Sequence, residues 1–238
     1  MIAEAVHREH HHRDIKGGGA RAAVFGASDG LVTNVSLILG LAGARPIASV
    51  VRLGGLAVLI GGALSMAIGE YVSMRAQTEL LQRELEIERH EIKHRPEYER
   101  RELADIYEQR GIDPEVAHSL ATEMMRDPEL ALETHAREEL GIDPTALGSP
   151  LQAAVSSFVS FAGGAVIPLI PWLITTGITA VIASIVAAGF ASILVGIALS
   201  RFTDRPWWKS AGRQLLLSAI AAGATYFIGK AVGISGVG

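Results

Sequence analysis

SPLQAAVSSFVSFAGGAVIPLIPWLITTGITAVIASIVAAGFASILVGIALS, Ser149 to Ser200, contains no Asp, Glu, Lys or Arg, and the charge-free run begins at Pro144. A membrane-crossing helix needs about 20 apolar residues. This run is too long for one such helix and long enough for two. Pro168 and Pro171, then Trp172 and Thr175-Thr176-Gly177, are expected to mark the turn between them.

Working outward, five apolar segments emerge at roughly 23–44, 53–74, 151–172, 174–200 and 212–232. They show little of the polar stripe that a surface helix of a soluble protein carries. The 238 residues have a net charge of -4 and a mean hydropathy of +0.32. Residues 76–147 hold 19 of the 25 acidic residues against nine Lys or Arg, a local charge of about -10. The chain therefore reads as an all-α integral membrane protein with five transmembrane helices and one acidic helical insert. Its expected parts are a polar His-rich tail (1–20), spans one and two (21–75), the insert (76–147) and spans three to five (148–238).

The absence of cysteine excludes disulfides and thiolate metal sites. The start, MIAEAVHREHHHRDIKGGG, lacks the apolar core of a signal peptide. Its histidines at 7, 10, 11 and 12 read as a polar tail rather than a metal site. Arg8, Arg13, Lys16 and Arg21 precede the first span, and Arg201, Arg205, Lys209 and Arg213 lie between the last two. The positive-inside rule then places the N-terminus and the insert in the cytoplasm and the C-terminus outside. Trp207 and Trp208 suit a membrane interface.

Residues 76–93 continue the second span without a helix breaker until His94-Arg95-Pro96. Asp-Pro pairs at 113–114, 127–128 and 143–144 suit helix starts, with Asp as cap and Pro in the first turn. Gly111 and Gly141 stand where helices should stop. Helices are expected over 76–93, 97–110, 114–126 and 128–140. Glu84, Glu88 and Glu91 share a face of the first, and Glu99 and Glu102 repeat the i,i+3 spacing after the turn. A hairpin would bring these carboxylates together, and His135 and Glu139 form an i,i+4 pair on the last helix. Oxygen ligands with one imidazole suit Fe(II), Mn(II) and similar ions. Solvated ion pairs such as Glu97–Arg101 are the competing reading.

Within the spans, Asp29 lies beside Thr33 and Asn34, while Met66 and Glu70 share a helix face one turn apart. An ionisable group inside a membrane is costly and tends to be functional. Asp29 as a helix cap and Glu70 as an interfacial residue are the plainer alternatives. Gly61, Ser65 and Gly69 form a ladder of small residues that lets another helix come close.

Together SDGLVTNVSLILGLAGA (28–44), GGALSMAIGEYVSMRAQ (61–77), the insert's glutamates ending in EELGID (138–143), and SPLQAAVSSFVSFAGGAVIPLIP (149–171) resemble the vacuolar iron transporter family. The resemblance implies a homodimer with five spans per subunit that moves Fe2+ out of the cytosol in exchange for protons. By that resemblance Asp29 and Met66 are pathway ligands, and Glu70 is a ligand or proton carrier. Glu88, Glu91, Glu99, Glu102 and Glu139 are cytosolic metal-binding glutamates. The chain departs from plant members by carrying His135 and Ala136 where they have methionines, which makes the site harder. Met124 and Met125 are expected to pack.

The composition suggests a prokaryotic member acting at the plasma membrane. Mn2+, Co2+ and Zn2+ are competing cargoes, and neither an organic cofactor nor a nucleic-acid partner is expected. Three rivals stand beside the transporter. One is a membrane-anchored di-iron carboxylate oxidase, for which Glu91-Ile92-Lys93-His94 supplies one of the two Glu-x-x-His motifs such bundles use. The others are an iron-storage protein and a membrane scaffold.

Overall fold

The computed structural model of the chain describes residues 18–44, 47–141, 143–144, 148–203 and 205–233. The histidines at 7, 10, 11 and 12 lie outside them. The described residues form eight α-helices in the order α1 (Gly18–Gly43), α2 (Ala48–His94), α3 (Pro96–Gln109), α4 (Pro114–Met124), α5 (Pro128–Glu138), α6 (Pro150–Ile174), α7 (Gly177–Thr203) and α8 (Trp207–Val232). Among them α1, α2, α6, α7 and α8 are long and apolar enough to cross a membrane. Two compact units result, one of residues 1–63 with 156–238 and one of 64–155.

In the first unit, α1 packs against α7 and α8 through Leu31, Val35, Leu39, Ala188, Ala191 and Ala222. Lipid tails are as apolar as leucine, so burial alone does not drive such helices together; close packing and hydrogen bonds do. A Cβ on Gly30 would run into the carbonyl of Phe161, and one on Gly164 into the carbonyl of Ala27. The α1 and α6 backbones thus touch at a crossing that only glycine permits. Beside it Asn34, fully buried, donates from Nδ2 to the Ala165 carbonyl at 2.6 Å. Thr225 donates to the Ser36 carbonyl at 2.7 Å, Ser184 to that of Pro168 at 2.7 Å, and Gln214 to Ser28 at 2.7 Å. Interhelical bonds of this kind in lipid contribute roughly 0.6–2 kcal/mol each.

The structure narrows the expected turn in the charge-free run to its Thr175-Thr176-Gly177 end. Pro168 and Pro171 lie inside α6, and the chain breaks later, before Gly177, whose φ of +64° is a left-handed conformation natural to glycine. Proline inside a transmembrane helix is tolerated where neighbouring groups take up the disturbed backbone. Each proline removes the bond to the carbonyl four residues earlier, that of Gly164 or Ile167. Separately, the Ser184 hydroxyl ties α7 to the Pro168 carbonyl, and the backbone N–H and hydroxyl of Thr175 both bond the Pro171 carbonyl at the end of α6.

The second unit begins within α2, which runs on unbroken past the apolar stretch to His94. Arg95 alone separates α2 from α3, and Pro96 occupies the first turn of α3. Asp113 and Asp127 cap α4 and α5 as expected, accepting from the backbone N–H of Glu115 and Glu129 at 3.0 and 2.9 Å. The third pair, Asp143-Pro144, is followed by residues outside the described ones, and the next described helix, α6, starts at Pro150. Leu103, Ala104 and Tyr107 of α3 pack on Ala117 and Ala121 of α4, with Met124 alongside. Leu85 and Ile92 of α2 pack on Ala131, Leu132 and Ala136 of α5, with Met125 alongside. Both methionines therefore pack, as expected. Arg110, at the end of α3, grips the Glu138 carboxylate and donates to the Glu138 carbonyl at 3.0 Å.

The crossing of α1 and α6 gives a direct test. Gly164→Ala should destabilise the detergent-solubilised protein by about 1–3 kcal/mol, the usual effect of overpacking. Gly163→Ala, where an added Cβ meets nothing within 4 Å, should leave the thermal unfolding midpoint unchanged or slightly raised. Equal midpoints for the two variants would contradict the crossing.

Candidate metal centre

Three helices of the second unit build the site. The one-residue turn at Arg95 folds α3 back beside the end of α2, so Glu88 and Glu91 meet Glu99 and Glu102. Packing of Ala131, Leu132 and Ala136 on Leu85 and Ile92 then holds α5 in place to deliver His135. The His135 ring is wholly buried, with Nδ1 3.1 Å from Glu88 Oε1, 3.5 Å from Glu139 Oε2 and 3.7 Å from Glu99 Oε2. One potential ligand atom from each of Glu88, His135 and Glu139 lies within 4.8 Å of the others. Two ligands on opposite sides of one transition ion stand about 4 Å apart, so small rotamer changes suffice to close this set around a cation.

The electrostatics of the cluster are those of acids crowded away from water. Burial, then the charges of Glu139, Glu99, Glu102 and Glu91, push the Glu88 carboxyl up to about 8. Burial, then Glu102, Glu91 and Glu139, raise Glu99 to about 7, and a hydrogen bond between the Glu91 and Glu99 side chains acts in the same direction. Glu102 is raised too, first by burial and then by Glu139 and Glu91. Burial lowers the pKa of His135, against the opposing pull of Glu139. Each shift disfavours charge in a dry site.

Three buried polar atoms of the cluster, Glu88 Oε1, Glu99 Oε1 and His135 Nε2, have no hydrogen-bond partner. Glu88 Oε1 is near the imidazole, but no donor meets it at hydrogen-bond geometry. Unpartnered buried polar groups of this kind are rare and call for a role. A carboxylate-rich set with one neutral imidazole is a donor set for a hard-to-borderline divalent ion.

Six of the seven insert residues singled out from sequence fall in this cluster, with Glu88, His135 and Glu139 tightest, and Glu84 is not among them. The expected Glu97–Arg101 pair is replaced by Glu97–Arg100 at 2.8 Å, one position nearer along α3. Sequence reasoning did not find the Arg110–Glu138 clamp beside the cluster; its only signal was Gly111, whose φ of +91° ends α3.

The residues expected in the spans divide between the two units. Asp29 is exposed in mid-α1 and accepts from Thr33 Oγ1 at 3.4 Å. It is not a helix cap, because α1 starts at Gly18. Asn34 bonds the Ala165 carbonyl of α6. Met66 and Glu70 are partly buried on α2 in the second unit.

Residues 20–230 match the model of the VIT family. The chain is 33% identical over 213 residues to vacuolar iron transporter 1 of Eucalyptus grandis, covering 89% of this chain and 86% of the relative. It is 32% identical over 232 residues to vacuolar iron transporter 1 of Oryza sativa subsp. japonica, covering 96% and 92%. With vacuolar iron transporter 1 of Arabidopsis thaliana it shares 33% over 213 residues, covering 89% and 85%. These three relatives are plant proteins, so they lend no support to the expected prokaryotic source. Members of this family are transporters rather than enzymes, which removes the oxidase reading. An integral membrane protein with five candidate spans, this chain belongs to the VIT family.

Proposed function

We propose that the chain is a proton-coupled transporter of divalent metal ions, with Fe2+ as its main cargo, moving the ion out of the cytosol. One observation carries the reading. Glu88, His135 and Glu139 converge on a single point, ringed by carboxyls that hold protons near neutral pH and have buried oxygens to offer. A cation arriving there displaces those protons, so capture and release are set by pH. The insert, residues 76–147, is the cytosolic capture domain. Asp29, Met66 and Glu70 pass the ion through the membrane, and protonation of carboxylates on the acidic side frees it.

The basic residues flanking the first and last spans support a cytoplasmic N-terminus and insert. Trp207 and Trp208 support the same boundary: both are exposed at the start of α8, with Lys209 Nζ 5.2 Å above the Trp208 ring. A homodimer fits the face of α2 bearing Gly61, Ser65 and Gly69, since a Cβ at either glycine would meet open space. His135 in place of a thioether removes a soft ligand, so Mn2+ competes with Fe2+, and borderline ions such as Co2+ and Zn2+ remain alternative cargoes. In a prokaryotic cell the membrane crossed is the plasma membrane.

Two outcomes are expected. Metal affinity of the full-length protein in detergent should fall at least about 100-fold from pH 8 to pH 6, as up to two protons must leave the raised carboxyls. Affinity independent of pH, measured by titration calorimetry, would contradict the site. Glu88→Gln should bind metal at least about tenfold more weakly. A carboxyl with a raised folded-state pKa stabilises the fold below its ordinary pKa, and that stability is lost as pH rises through about 8. The metal-free Glu88→Gln protein should therefore unfold at a higher temperature than the parent above pH 8.

Transport is checked in proteoliposomes. A proton gradient with the acidic side opposite the insert should accelerate Fe2+ movement toward that side, and Asp29→Ala and Met66→Ala should each reduce it at least about tenfold. Full transport by both variants would remove them from the pathway.

A further inference from the structure

The last turn of α2 reads His90-Glu91-Ile92-Lys93-His94. This H-E-x-x-H spacing puts two imidazoles on one helix face, the arrangement by which a helix grips zinc. We propose that His90 and His94 form a second metal site, separate from the carboxylate cluster, that takes a borderline divalent ion such as Zn2+, Ni2+ or Cu2+.

The two rings stack with centroids 4.0 Å apart and planes 25° from parallel. His94 Nδ1 lies 2.8 Å from the His90 carbonyl oxygen. That oxygen can only accept, so Nδ1 carries the proton and Nε2 keeps its lone pair. Ligating histidines are commonly held in this way, with the second ring nitrogen fixed by a backbone carbonyl. Both rings are exposed, so an ion reaches them directly from solvent.

The site is distinct from the first. At about 100° per residue, His90 is turned some 200° from Glu88 around α2, and Glu88 is buried where His90 is open. Glu86, one turn before His90 on the same face, is also exposed and offsets the charge of Lys93. The pair occupies the C-terminal turn of α2, the negative end of the helix dipole, where cations are favoured.

Glu91, the residue that serves as general base in zinc peptidases with this motif, is engaged elsewhere by its hydrogen bond with Glu99. Among the described residues no third His, Asp or Glu completes a three-residue group with the pair. The site is thus a binding site with open coordination positions rather than a hydrolytic centre. Imidazole pairs prefer softer ions than carboxylates do, so two faces of one helix sort ions by hardness.

The test uses the full-length protein, free of any polyhistidine tag, with His7, His10, His11 and His12 each replaced by Ala. The probe is Cu(II)–iminodiacetate, whose chelator leaves positions only for a pair of imidazoles. One complex should bind per chain, with an electron paramagnetic resonance spectrum split by two imidazole nitrogens. Binding should persist in Glu88→Gln/Glu99→Gln and weaken at least about tenfold in His90→Ala and in His94→Ala. Both histidines are exposed, and unchanged helical circular dichroism would confirm that these variants fold. No binding by the parent, undiminished binding by either histidine variant, or loss in the glutamine variant would overturn the proposal. The glutamine variant also separates this site from the carboxylate cluster, which it disables.

Discussion

The mutual repulsion of Glu88, Glu99, Glu102 and Glu139 around the buried His135 ring is the constraint on which the insert is built. Like charges cannot share a dry site unless protons or a cation neutralise them. The hydrophobic contacts on either side, Leu85 and Ile92 with α5 and Leu103 and Tyr107 with α4, hold the helices close enough for that conflict to persist. The Arg110–Glu138 clamp ties the ends of α3 and α5 beside it. The glutamates are thus kept poised by apolar residues that never touch an ion.

The membrane-spanning unit obeys a different rule. Its helices gain nothing from hiding leucine from lipid, so contact is made by glycine and by buried hydroxyls and amides. Gly30 and Gly164 bring backbones together, and Asn34 stitches the same crossing. Large side chains such as Ile182, Val186, Phe190 and Phe227 are left exposed, as helices surrounded by hydrocarbon can afford.

Charge segregation alone disclosed the spans, because a long stretch without a charge has few alternatives to crossing a membrane. The insert's helix starts were legible through Asp-Pro, which carries its own capping chemistry at Asp113 and Asp127. Pro168 and Pro171 misled because proline, which ends most helices in water, is tolerated inside a transmembrane helix. The glutamate spacing pointed to residues that gather around His135, yet spacing could not reveal which of them are buried. That depends on where α5 lands against α2, a tertiary contact between residues far apart in sequence.

Helix α2 has one more consequence. Within the second unit, Glu70 and Glu88 are eighteen residues apart on the same unbroken helix. At 3.6 residues per turn that is five turns and about 27 Å of rise, which returns the chain to the same angular position. Met66 and Glu84 repeat the coincidence one turn earlier. The acidic residue of the apolar stretch and the most strongly perturbed acid of the cluster therefore lie on a single stripe. The helix works as an indexed shaft: the phase of one carboxylate sets the phase of the other.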